Sequence, residues 1–251
     1  MRTHQKHFRT YLNGVDVSGY SRQIGALAQV FDAEPDAALT DEVKNILIGK
    51  GDITAGPLNA FLDNDTAGLW SLRAQGTKLY TVIMGANAAP MVGDYIFSWE
   101  FEDTGYMVEP GSGFVAAQFP FGGDSYASEV TYKKPWGRLL YAKAARTSAS
   151  GANTGTGIDD TAATAAGGIF WFHLFTSNGT CTLSVDDAAV NVDGSFAALS
   201  GATSGSINAT TTPQYGMVAL GTSATVRQFL RWQIAFGTAS TATWAAGFIR
   251  G

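Results

Sequence analysis

The sequence predicts a mainly β protein, a β-barrel or sandwich built as two sheet-rich halves (residues 1–130 and 131–251) with a few short helices. Three observations lead there. Tyr95, Phe97, Trp99 and Phe101 alternate with Ile96, Ser98, Glu100 and Glu102, the period of two that a strand requires. Asn-Gly pairs at 13–14 and 178–179 interrupt β-prone runs, and these residues accept the positive φ of a tight hairpin turn. Thirty glycines stand beside 15 Phe, 9 Tyr and 6 Trp in 251 residues, the make-up of a folded, loop-rich chain rather than a disordered one.

Taken in order, Phe8 to Leu12 reads as a strand, Asn13-Gly14 as its turn and Val15 to Val17 as the returning strand. Thr40 before Asp41-Glu42, with Val43, Ile46 and Leu47 at helical spacing and Gly49 after them, predicts a short helix. A second is expected from Pro57 through Leu58, Phe61 and Leu62, and a third over Thr66 to Gln75. Strands follow at Tyr80 to Met84, at Tyr95 to Glu102 with its aromatic face buried and its glutamates opposite, and at Phe114 to Phe121. Residues Ala144 to Gly168 and Gly194 to Pro213 are rich in Gly, Ser, Thr and Ala, and are read as long loops. Ile169 to Val185 is expected to form a hairpin about Asn178-Gly179. Thr225 to Phe236 and Trp244 to Arg250 are expected to pair as the closing strands.

Charge and motifs exclude several functions. The net charge of −5 divides into −8 for Met1 to Val130 (16 acidic, 8 basic) and +3 for Thr131 to Gly251 (5 acidic, 8 basic). That division suits head-to-tail docking of subunits, or is surface scatter, and it is not the balance of a DNA-gripping protein. No apolar run reaches 18 residues, and the opening MRTHQKH is polar, so neither a membrane span nor a signal peptide is expected. Cys181 is a lone cysteine, which excludes an internal disulfide and suggests assembly in a reducing cytoplasm.

The sequence contains no H-x-x-x-H, C-x-x-C, phosphate-binding loop or G-x-S-x-G, so no enzyme activity, metal or cofactor is expected. His173 lies within an aromatic strand, where a hydrogen-bonded structural histidine is the expectation. Asp63 to Gly68 opens like a calcium loop, but Ala74 replaces the bidentate acid, leaving a turn as the reading. Glu100 and Glu102 share a strand face with no catalytic partner marked opposite. Arg2, His4, Lys6, His7 and Arg9 form a basic N-terminal arm with little apolar anchorage before Phe8.

The phrases LNGVDVSGYSRQI at 12–24 and TVRQFLRWQIAFGT with ATWAAGFIRG near the C-terminus resemble tailed-bacteriophage virion structural proteins, tail tube (major tail) proteins among them. The resemblance implies a tail-tube-like β subunit that forms stacked rings with copies of itself, as a trimer of two-unit chains or a hexamer. Such rings would meet other virion proteins and enclose a conduit for passing double-stranded DNA. A wall facing a sliding polyanion should hold few Lys or Arg contacts. On this reading Arg2, His4, Lys6, His7 and Arg9 of the arm, and Asn153, Ile158 and Ile207 of the two long tracts, are expected at subunit contacts. Two other roles fit the same residues: a capsid decoration or cement protein, and a carbohydrate-binding adhesion module using Trp136, Trp171, Trp232 and Trp244 as platforms.

Overall fold

The computed structural model describes residues 5–36, 45–62, 69–73, 76–110, 115–124, 134–153, 155–160 and 162–251. Its strands begin with β1 (Phe8–Leu12), β2 (Val15–Asp16), β3 (Ser21–Ile24), β4 (Leu27–Asp36), β5 (Asn45–Ala55), β6 (Leu58–Phe61) and β7 (Thr77–Met84). Then come β8 (Tyr95–Asp103), β9 (Met107–Glu109), β10 (Ala116–Phe119), β11 (Phe121–Asp124) and β12 (Trp136–Thr147). The remainder is β13 (Ile158–Asp159), β14 (Gly168–Ser177), β15 (Thr180–Ala188), β16 (Ala197–Asn208), β17 (Gln214–Ala219), β18 (Phe229–Phe236) and β19 (Thr241–Arg250). The protein is mainly β, its sheets are antiparallel, and none closes on itself.

One large sheet organises the molecule, in the order β17-β14-β19-β12-β8-β7-β1-β2, with β11 added on β8. β14 shows why its sequence is apolar at nearly every position. Phe170, Phe172 and Leu174 enter one core with Leu183, Val185, Trp232, Ile234 and Phe248. Ile169, Trp171 and Phe175 enter the other with Tyr11, Leu12, Tyr80 and Trp99. A strand covered on both faces loses the polar half of its alternation. The first core is a sandwich, because the sheet β13-β18-β15-β16 lies across it. There Tyr141 stacks on Trp244 with ring centroids 4.2 Å apart, and Trp232 meets Trp244 edge-on at 5.3 Å. The second core also takes side chains from the sheet β3-β6-β10-β9, including Leu58, Ala60 and Phe119.

The Asn13-Gly14 turn forms as read: Leu12 pairs with Val15, and φ is +49° at Asn13 and +76° at Gly14. Both values suit the two-residue turn that matches strand twist. β8 buries Phe97, Trp99 and Phe101 as expected, but Tyr95 at its start is exposed, and Ile96 and Ser98 on the other face are fully buried too. The glutamate face is polar only toward its end, where Glu102 is exposed. Burial of Glu100 raises its carboxyl above the usual range.

Other expectations are corrected. Asn45 to Gly49 belongs to β5 and Leu58 to Phe61 to β6, so the first two helices are strands where described. In the first of these, Ile46, Ile48 and Ile53 are β-branched and glycines stand at 49 and 51, which outweighs the helical spacing. Of the third, Leu69–Arg73 is a 3₁₀ turn, and its flanks, like the calcium-like loop, lie outside the described residues. Most of the tract from Gly194 to Pro213 is the twelve-residue β16, paired with β15 and buried at Leu199 and Ala202. Likewise β12 runs on to Thr147, so the other tract opens as strand rather than loop.

Neither late hairpin exists. β14 pairs with β17 and β19, while β15 pairs with β16 and β18, so Asn178-Gly179 carries the chain between sheets. Asn178 spends its amide on the other crossing: its Oδ1 accepts from Ser240 and Thr241 N–H at 2.8 and 2.9 Å. The closing strands β18 and β19 are divided between the two sheets in the same way.

Candidate assembly surfaces

Four features at the surface bear on function. The first is the ribbon β4–β5, paired from Leu27↔Ala55 to Asp36↔Asn45 with one irregularity between Phe31 and Ala33. Among the described residues neither strand pairs with any other. At its base Gly56 N–H donates to Ala26 O at 2.6 Å, and a Cβ on Gly25 would stand 2.4 Å from the Gly56 carbonyl carbon. The crossing is therefore closed to any side chain.

The second feature is the start of the chain. Arg2 and His4 lie outside the described residues. His7 Nδ1–H donates to Ala86 O at 2.9 Å, and Arg9 donates to Phe8 O at 3.0 Å and to Ala88 O. The described part of the arm is thus tied to its own loop at 86–88. Lys6 and Arg9 line a cleft of 320 Å³ between β1 and β3, together with Arg22, Ser18, Ser21 and Gln23. A neighbouring cleft of 480 Å³ holds Asp16, whose Oδ2 is 2.7 Å from Lys143 Nζ. The fold thus brings Arg22, which lies beyond the arm in sequence, into one hollow with Lys6 and Arg9.

Third, residues 151–153 and 155–158 strap across the sheet β13-β18-β15-β16. Gln233 donates to the Asn153 carbonyl at 3.0 Å, Arg231 to the Gly155 carbonyl at 3.1 Å, and Asn191 Oδ1 accepts from Gly157 N–H. Arg231 is itself fixed by Asp186 at 3.1 Å and Asp193 at 2.7 Å, and its guanidinium stacks on Phe196. Ile158, opposite Leu230, and Ile207, opposite Cys181, are partly buried against their own sandwich core. The strap and the arm are separate places: among the described residues, Lys6, His7 and Arg9 gather at β1, and Asn153, Ile158 and Ile207 on the outer sheet.

Fourth, Met91, Val92, Tyr95 and Trp136 are exposed by 54, 52, 59 and 41%. Tyr95 and Arg138 are cross-strand partners, with the guanidinium 3.7 Å from the ring centre. Of the four tryptophans considered as sugar platforms, Trp171 and Trp244 are fully buried and Trp232 nearly so, leaving Trp136 in contact with solvent. No group of three metal-ligating side chains occurs among the described residues, and no helix there is long and apolar enough to cross a membrane.

No family model matches the chain, and no curated protein matches it. Among solved structures it is similar to the Dit (gp 19.1) protein of phage SPP1, described as a paradigm of the hub adsorption apparatus in phages infecting Gram-positive bacteria. Identity is 10%, 96% of this chain and 99% of that chain are covered, and the TM-score is 0.32.

Proposed function

We propose that the protein is a structural subunit of a tailed-phage virion, a tail tube protein that assembles with copies of itself into stacked rings. The observation that carries this is the β4–β5 ribbon, which pairs with no other strand among the described residues. A two-stranded ribbon alone is marginal in water, and each outer edge is a row of N–H and C=O groups open to pairing. A neighbouring copy that covers or pairs with the ribbon supplies what the single chain lacks. The exposed Tyr95, Trp136 and Met91 add a second surface of the composition that protein interfaces favour.

The likeness of residues 12–24 and of the C-terminal strands to tail tube proteins supports the same reading. The role is structural, without catalysis, and places the protein in the virion after assembly in the host cytoplasm, beside other virion proteins. The acid-rich first half suits a wall past which DNA slides without being held. Negative-stain electron microscopy of the purified chain tests this. Rings or hollow tubes, lost when 31–51 is replaced by a short turn, are expected; a protein that stays monomeric at high concentration refutes the reading.

A further inference from the structure

We propose that the cleft between β1 and β3 binds a phosphate group. This site is independent of the ring-forming reading. Lys6, Arg9 and Arg22 line the 320 Å³ hollow with Ser18, Ser21 and Gln23, and among the described residues no Asp or Glu lines it. The three cations meet in one concavity of a chain whose net charge is −5. Arg9 is positioned without being neutralised, because its guanidinium donates to the backbone carbonyls of Phe8 and Ala88, which carry no net charge.

The carboxylate on the adjoining strand is committed elsewhere. Asp16 Oδ1 accepts from Ser18 N–H at 3.1 Å and from its hydroxyl at 2.6 Å, while Oδ2 holds Lys143. Phe8 and Ile24, which also line the cleft, pack against the core and give it an apolar floor, where charge attraction is stronger than in open water. The walls end in an ammonium, two guanidinium groups and the Gln23 amide. Guanidinium forks match the oxygens of phosphate in pairs, and Arg9 and Arg22 bring two of them to one hollow. The ligand class is a phosphate group, carried either by a free phosphate compound or by a nucleic-acid backbone.

Isothermal titration of the full chain at low salt, with inorganic phosphate and then with a short DNA duplex, tests the site. One saturable site for inorganic phosphate is expected, weakened about ten-fold or more in Arg22→Gln, since charge-assisted bonds are lost. Arg22 is exposed on an edge strand, so its replacement should leave the melting temperature unchanged. A duplex that competes with phosphate assigns the group to nucleic acid; a duplex without effect assigns it to a free phosphate compound. Absence of saturable phosphate binding, or equal affinity in Arg22→Gln, overturns the proposal, as does binding of the duplex alone.

Discussion

The backbone N–H of Gly14 donates to Nδ1 of His173, 3.0 Å away and 159 residues further along the chain. Nδ1 is therefore an acceptor, and Nε2 carries the proton that it donates to Thr81 Oγ1 at 2.8 Å. Thr81 Oγ1 lies 2.7 Å from Ser98 Oγ. Tyr11 closes the site edge-on, its ring 5.6 Å from the imidazole. One fully buried neutral imidazole thus joins β14 to the β1–β2 turn, β7 and β8, and draws distant strands of the large sheet together.

That imidazole makes stability depend on pH. Burial pushes the His173 pKa down to about 3, against an ordinary value of 6.5. The unfolded chain takes up this proton first, so stability is complete above 6.5 and is lost as pH falls from 6.5 toward 3. Between pH 7.5 and 5 the loss from this residue is about 2 kcal/mol. Denaturant titrations of the parent and of His173→Leu should differ by that amount in their pH dependence. The imidazole carbon shifts of His173 in the parent should not titrate above pH 5.

Trp99, 1% exposed, lies among Tyr80, Phe97 and Phe101. Trp99→Ala should cost about 3–5 kcal/mol of unfolding free energy, the range for truncating a large buried aromatic side chain. Tyr95→Ala, four residues earlier on the same face but 59% exposed, should change stability by no more than about 0.5 kcal/mol. Equal effects at the two positions would contradict the burial gradient along β8.

Arg231 and Asp186 are both buried, and Asp186 also accepts from Gln233 at 2.6 Å. Removing one partner strands the other charge, so Arg231→Ala should destabilise the fold by about 3–5 kcal/mol. It should also release the strap, read as faster hydrogen exchange at 151–157 with β14 and β19 still protected.

Cys181 is fully enclosed on β15, and burial pushes its thiol up to about 11. Thiol reagents at pH 8 should leave the folded protein unlabelled and label it stoichiometrically in denaturant, as expected where little thiolate forms. Rapid labelling of the folded chain would show that the sandwich opens locally.

Strand positions were legible wherever alternation or β-branched residues dominate: β1, β7, β8, β14 and β18 fall where the sequence puts them. Pairing was not. Asn178-Gly179 carries the usual hairpin residues, yet its polar amide is used by Ser240 and Thr241 on another crossing, a contact that no local pattern announces. β16 was hidden because a strand rich in Gly, Ser, Thr and Ala that buries just Leu199 and Ala202 has almost no hydrophobic period. The basic arm was visible in Lys6, His7 and Arg9, but Arg22 joins them through the fold alone. The signal missed was an exposed arginine on a short edge strand.

The place of β19 in the large sheet dictates when that sheet can be completed. Its ten residues, 241–250, lie between β12 and β14 and hydrogen-bond to both. Until they leave the ribosome, β12 and β14 face each other across a missing strand. Both then expose unpaired backbone edges, and Trp171 and Phe170 lack Ile249 and Phe248, which complete their cores. Pairings this distant in sequence form slowly and leave sticky intermediates. Completion of the large sheet is therefore held back until β19 has been made, and a chain lacking that strand would expose the edges of β12 and β14.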